Sequence, residues 1–198
     1  MNALILVDIQ NDFLPGGALA VPDGDAVIPA AIQLMQHADI IVATQDWHPP
    51  DHGSFAVNHP GCAVFETIDL HDLPQTLWPV HCVEETPGAA FAETLDLARI
   101  GKIFRKGTRP EIDSYSGFHD NGRRHSTGMA DWLRGRGVTH VTVCGLATDY
   151  CVKFTALDAI DEGFHVTLAV HACRGVNLWP SDVEEAIDEM RQRGVIIS

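Results

Sequence analysis

The sequence predicts a three-layer α/β/α fold, with a doubly wound parallel sheet of six strands covered by helices on both faces. Three observations carry this. Six short apolar runs recur along the chain with little polar alternation, as strands buried on both faces require. Helix-like segments lie between them, at the spacing of crossover connections. Gly137, Gly163 and Gly194 each stand between such a segment and the next strand, where glycine takes a positive φ at little cost. Repeated helix, glycine, strand units are βαβ crossovers.

The elements follow in chain order. Ala3 to Val7 is the first strand, Asp25 to His37 a helix, and Ile40 to Thr44 the second strand. From Gln45 to about Gly88 the chain is rich in Pro, His, Gly and Asp, with one short strand expected near Phe65 to Ile68. A segment this long without regular structure inside a domain is usually functional. A helix is expected over Ala89 to Leu97, then a strand over Ile103 to Arg105, a helix over Thr127 to Arg136 and a strand over Val138 to Cys144. Cys151 to Asp161 is the next helix and Phe164 to Val170 the next strand. Ser181 followed by Glu184 forms a capping box for a helix over Asp182 to Arg193, and Val195 to Ile197 closes the sheet. No repeat, low-complexity tract or linker interrupts the chain, so residues 1–198 read as one domain carrying a metal-binding loop region at about 45–88.

Composition narrows the partners. Thirteen Lys and Arg against 27 Asp and Glu leave a net charge of −14 over 198 residues, and 45% of residues are hydrophobic. That is ordinary globular usage, which excludes disorder and fibre. The charge opposes a nucleic-acid backbone or an anionic membrane, and the longest basic cluster, Arg123-Arg124-His125, is too small to override it. No stretch approaches a membrane span, and the N-terminus runs into Leu4-Ile5-Leu6-Val7 without a basic leader. The expectation is a soluble cytoplasmic protein, monomeric or homo-oligomeric, acting on a small neutral or cationic molecule. The five cysteines are scattered with no CxxC pair, which argues against a disulfide framework and leaves room for a working thiol.

Ligands of a doubly wound sheet bind at the carboxyl ends of its strands. Asp8, Asp46 and Lys106 end the first three strands, and Cys151 follows the fourth after the loop Gly145-Leu146-Ala147-Thr148-Asp149-Tyr150. Each alone has an ordinary structural reading; two acids, an amine and a thiol at one edge do not. Cys151 sits where a helix begins, a setting that favours a thiolate, as would a neighbouring ammonium. Asp8 can take the thiol proton and return it to a leaving amine, and backbone N–H groups of Cys151 and its loop can meet an oxyanion. Cys144, inside a strand, and Cys173, in a strand-following loop, are assigned to packing. A second group is Asp46-Trp47-His48 with the remote His81, and His52 as a fourth metal-ligand candidate. Two imidazoles and a carboxylate suit one divalent metal, zinc first and iron or manganese as alternatives, with positions left open.

The runs Leu6-Val7-Asp8-Ile9-Gln10-Asn11-Asp12-Phe13, Thr44-Gln45-Asp46-Trp47-His48, Trp78-Pro79-Val80-His81-Cys82, Lys106-Gly107 with Asp113-Ser114-Tyr115-Ser116-Gly117-Phe118, and Gly145-Leu146-Ala147-Thr148-Asp149-Tyr150-Cys151-Val152 resemble, in order, those of nicotinamidases among the isochorismatase-like cysteine hydrolases. The resemblance implies hydrolysis of nicotinamide to nicotinate and ammonia within NAD salvage, with pyrazinamide as a further substrate. It implies the triad Asp8, Lys106 and Cys151, and the metal ligands Asp46, His48 and His81, the metal meeting the ring nitrogen. It also implies pocket walls at Phe13, Trp78 and Tyr115, a cis Leu146-Ala147 bond aiming the Ala147 N–H with that of Cys151 at the oxyanion, and strand order 3-2-1-4-5-6. Lys106 then starts about 10 Å from Asp8 at strand spacing, a gap only a long side chain crosses. Val83-Glu84-Glu85 departs from a common Gln-Gly pair and touches none of these positions. The alternatives are another small-amide cysteine hydrolase of the family, a metallohydrolase using metal-bound hydroxide, and a noncatalytic pyridine-sensing module.

Overall fold

The computed structural model describes residues 1–198. The strands are β1 (Asn2–Val7), β2 (Ile40–Asp46), β3 (Thr67–Leu70), β4 (Leu73–Thr76), β5 (Lys102–Lys106), β6 (His140–Leu146), β7 (His165–Arg174) and β8 (Ile196–Ile197). The helices are α1 (Val27–Met35), α2 (Met129–Arg134), α3 (Lys153–Asp161) and α4 (Asp182–Gln192). Six strands form one parallel sheet in the order β5-β2-β1-β6-β7-β8, the doubly wound order expected. The central strand β1 is buried from Ala3 to Val7, which is why its sequence carries no polar alternation. Right-handed crossovers put α1 on one face and α3 and α4 on the other, because the chain moves outward from the centre in opposite directions. The order reverses between β1 and β6, and there the carboxyl ends of the strands open a crevice. No helix is long and apolar enough to cross a membrane.

Several local expectations change. Ala89 to Leu97 is not helical: only the short 3₁₀ turns Pro87–Ala89 and Leu97–Arg99 flank it. Its backbone instead pairs with the chain after β1, Ala90 accepting from the Asn11 N–H at 2.9 Å and Ala92 donating to Ile9 at 3.0 Å. The expected strand near Phe65 is half of a hairpin, β3 with β4, whose second strand carries a proline that hid it. Ser181 does not cap α4 through its side chain, because its own backbone is already near-helical at φ −96° and ψ −7°. The Asn177 side chain does so in its place, its Oδ1 accepting the first-turn Val183 N–H at 3.1 Å. Cys173 belongs to β7 and not to a following loop: the register shifts between Val143 and Gly145, which places Cys173 opposite Gly145. Gly137, Gly163 and Gly194 do take positive φ, at 72°, 85° and 95°.

Candidate active site

The ends of four neighbouring strands bring the predicted residues together. β1 stops at Val7 and Asp8 turns out of the sheet at φ 48°. Asp46 and Lys106 end β2 and β5 in register, and the Lys106 side chain reaches back past β2 toward β1. Its ammonium lies 2.8 Å from Asp8 Oδ2, donates to Asp46 Oδ1 at 2.5 Å, to the Ser114 carbonyl at 3.0 Å and to Cys151 Sγ at 3.4 Å. The side chains of Asp8 and Lys106 are wholly buried. Asp8 Oδ1 accepts from the Thr44 hydroxyl at 2.6 Å, but Oδ2 has no hydrogen-bond partner: the ammonium beside it is close without being aligned. Asp8, Asp46 and Cys151 present their ligating atoms within 4.8 Å of one another, so a carboxylate oxygen of Asp8 and the thiol share one small space.

Burial decides the charge states. Desolvation lifts the Asp8 carboxyl to about 6, against the pull of Lys106. Desolvation likewise holds the Cys151 thiol well above the ordinary thiol range, Lys106 opposing the rise and the carboxylates of Asp8 and Asp46 adding to it. The resting pair at neutral pH is therefore a thiol beside a carboxylate, not the thiolate that a helix start and a lysine suggest. Lys106 stays charged, because Asp46 and Asp8 more than offset its burial. Cys151 itself lies in a π-turn over Thr148–Val152 that leads into α3, and the Leu146-Ala147 bond before it is cis, as the resemblance implies.

Asp46, His48 and His81 converge on the other side of Lys106. Asp46 Oδ2 lies 3.7 Å from His48 Nε2 and 3.9 Å from His81 Nε2, and all three residues are buried. His48 Nδ1 sits 2.9 Å from the Gly107 carbonyl and His81 Nδ1 2.8 Å from that of Pro79, so each Nδ1 carries the proton and each Nε2 presents a lone pair inward. Such a donor set fits a divalent cation. His52 is adjacent to His48, with ring centroids 4.4 Å apart, but its Nδ1 accepts the Ser54 N–H at 3.2 Å, which puts the proton of the neutral ring on Nε2. That buried Nε2 has no partner, and His48, His52 and Asp113 form a separate cluster. Burial lowers His81 to about 4 and lowers His52; for His48 burial is outweighed by the Asp46 carboxylate and the net effect is upward. Phe55, fully buried, backs all three imidazoles with centroids at 5.4 to 5.7 Å.

A small pocket of about 30 Å³ joins the two groups. Phe13, Trp78 and Tyr115 line it as expected, together with Asp46, His48, His81, Ala147 and Cys151. Leu19, Asp113, Tyr150 and Val176 also line it and carried no sequence assignment. Tyr150 and Asp113 could have been found from their places inside the quoted motifs; Leu19 and Val176 come from loops with no signal. Trp78 is oriented by its Nε1 donating to the Tyr115 hydroxyl at 3.2 Å, and Val176 by its N–H donating to Asp149 Oδ1 at 2.9 Å.

Known proteins resemble this chain along its length. The Isochorismatase domain family matches residues 2–198. The nicotinamidase of Escherichia coli is 47% identical over 200 residues, covering 99% of this chain and 93% of its own. The yeast nicotinamidase bound to the inhibitor nicotinaldehyde superposes with a TM-score of 0.95 at 34% identity, covering 100% of this chain and 99% of its own. The pyrazinamidase of Pyrococcus horikoshii in complex with zinc does so with a TM-score of 0.81 at 42% identity, covering 100% and 98%. By these matches the chain belongs to the isochorismatase family, as one of its amide hydrolases.

Proposed function

We propose that the protein hydrolyses nicotinamide to nicotinate and ammonia, accepts pyrazinamide, and serves NAD salvage. One observation carries the reading: Cys151 lines one aromatic pocket together with Asp46, His48 and His81, and a carboxylate oxygen of the buried Asp8 lies within 4.8 Å of its thiol. Relatives named for nicotinamide and pyrazinamide hydrolysis support the substrate class.

In this scheme Asp8 Oδ2 takes the thiol proton as Cys151 Sγ attacks the carboxamide carbon. The carbonyl electron pair moves onto oxygen, where the N–H groups of Ala147 and Cys151 receive it. The C–N bond breaks, its electron pair takes the proton from Asp8, and ammonia leaves a thioester on Cys151. Water then attacks the thioester carbon while Asp8 takes its proton. The C–S bond breaks, Asp8 returns the proton to sulfur, and the product acid departs, giving its remaining proton to solvent as nicotinate. Lys106 keeps Asp8 and the sulfur together and balances the charge that alternates between them. Phe13, Trp78 and Tyr115 flank the ring and exclude water. Asp46, His48 and His81 would hold a divalent metal, assigned as zinc in line with the zinc-bound relative, which would supply a Lewis acid for the pyridine nitrogen. His52 is left outside this set because its inward nitrogen carries the proton. Residues 1–198 act as one cytoplasmic domain, with residues 45–88 shaping the metal side.

The test is ammonia release from nicotinamide, pyrazinamide and benzamide, with mass spectrometry of the acid-quenched enzyme. Release from the two heteroaromatic amides and a nicotinoyl adduct on the Cys151 peptide are expected. Turnover with no adduct, and undiminished turnover by Cys151→Ser, would remove the thioester.

A further inference from the structure

Asp8 is gripped by a residue that the scheme above does not use. Thr44 is fully buried in β2, and its Oγ1 makes two contacts with Asp8: it donates to Oδ1 at 2.6 Å and accepts the backbone N–H at 3.2 Å. The second contact helps hold a non-glycine residue in the left-handed region, at φ 48°, where β1 ends. The first commits one carboxylate oxygen and leaves Oδ2 as the only free one. Rotation of a carboxylate about its last bond is nearly unhindered, so a partner has to fix it. Lys106 Nζ waits 2.8 Å from Oδ2, and an aligned ammonium–carboxylate hydrogen bond is about twice as strong as a neutral one. Released from Thr44, the carboxylate would turn into that bond and withdraw its lone pair from the thiol.

We propose that Thr44 is a positioning residue whose hydroxyl locks Asp8 Oδ1, so that Oδ2 is kept free for the thiol proton and out of line with Lys106. The proposal rests on the reading of Asp8 as the proton carrier. The methyl of Thr44 has a separate job. A Cβ built on Gly117 would lie 2.4 Å from Thr44 Cγ2, so the methyl packs on the bare backbone of the loop that also carries the Ser114 carbonyl to Lys106. Hydroxyl and methyl can therefore be removed independently. Thr44→Val keeps shape and methyl and deletes the hydroxyl; Thr44→Ser keeps the hydroxyl and deletes the methyl; Thr44→Ala deletes both.

The experiment is steady-state hydrolysis of nicotinamide by the metal-loaded variants, with melting temperature and metal content measured alongside. Thr44→Val is expected to lower kcat by about 10- to 100-fold, a fraction of what general acid–base catalysis contributes, with KM and metal content within about twofold. Thr44→Ser should keep kcat within about threefold while melting lower, and Thr44→Ala should match Val in kcat. In an Asp8→Asn background, Thr44→Val should cause no further fall, since the residues act as one unit. Wild-type kcat in Val, or equal loss in Ser and Ala, overturns the proposal; the Ser and Ala pair decides it even if Val does not fold. An inactive Asp8→Asn beside a fully active Thr44→Val removes Thr44 alone, whereas an active Asp8→Asn removes the proton-carrier reading itself.

Discussion

Acidification should switch the enzyme off at Asp8. The carboxyl rises from its ordinary 3.8 to about 6 because burial outweighs the attraction of Lys106 and the Thr44 hydrogen bond. At pH 7.5 it is then about 97% ionised and at pH 5 about 9%, so kcat/KM for nicotinamide should fall about tenfold between the two, along a limb of unit slope. The effect on stability has the opposite sign. A carboxyl raised in the folded state binds its proton more tightly there than in the unfolded chain, so this group stabilises the fold below about pH 4 and that contribution is lost as pH rises to about 6; the whole window corresponds to about 3 kcal/mol. Asp46 is shifted down, against its burial, by Lys106 and the histidines, and its contribution is lost only as pH falls below its ordinary 3.8. His81 and His52, held below the ordinary imidazole value by burial, cost stability as pH falls below about 6.5, so a falling rate between pH 7.5 and 5 is assigned to the base only where the fold is seen to persist. Ammonia release at low substrate, with excess metal and with metal content and circular dichroism read at each pH, separates the two. Lys106→Met should move the limb to higher pH, because it removes the attraction that opposes burial. A flat kcat/KM down to pH 5, or a limb displaced downward in Lys106→Met, would refute the assignment of Asp8 as base.

Three further outcomes are expected. Cys151→Ala should lose measurable turnover while keeping fold, metal and nicotinamide affinity; near-wild-type turnover would promote metal-bound hydroxide as the nucleophile. In that same variant, a chelator or His48→Ala should weaken nicotinamide binding and leave the already weak binding of benzamide unchanged, since benzamide lacks the ring nitrogen; equal loss for both in calorimetric titrations would show that the metal only supports the pocket walls. Gly107→Ala should lower metal affinity by 10-fold or more, on the order of what is lost when a ligand's outer partner is removed, because a Cβ there would lie 2.3 Å from His48 Cε1 at a backbone φ of 62°. Unchanged affinity in a competition titration would mean that the His48 loop is freer than its packing indicates.

The residues legible in the sequence were those whose chemistry is out of place at a strand end: a carboxylate after Leu6-Val7, a lysine after Phe104-Arg105, a thiol after the Gly145 loop, and an acid and imidazole spaced two apart. Those it hid serve the same site through backbone atoms, and spacing does not encode which backbone atoms will be left unpaired. Gln10 is the clearest case. β1 ends at Val7, two residues short of the position that its register sets opposite Asp46, so β2 would carry an open edge there on the side away from Lys106. The Gln10 side chain closes that edge as a strand residue would: its Oε1 accepts the Asp46 N–H at 2.8 Å and its Nε2 donates to the Asp46 carbonyl at 2.8 Å. A second bond from Nε2, to the Ala89 carbonyl at 2.8 Å, ties in the segment for which the sequence suggests a helix. Breaking β1 early is what frees Asp8 to turn into the crevice, and an amide of that length then restores the pairing the turn removed. The same substitution of side chain for backbone recurs at Asp149, whose carboxylate takes the N–H groups of Val176 and Asn177 at 2.9 and 2.7 Å and so fixes one wall of the pocket beside Cys151. Local pattern could place the reacting groups because strands dictate where they emerge. It could not place their holders, because these answer to gaps in hydrogen bonding that exist only once the sheet has formed.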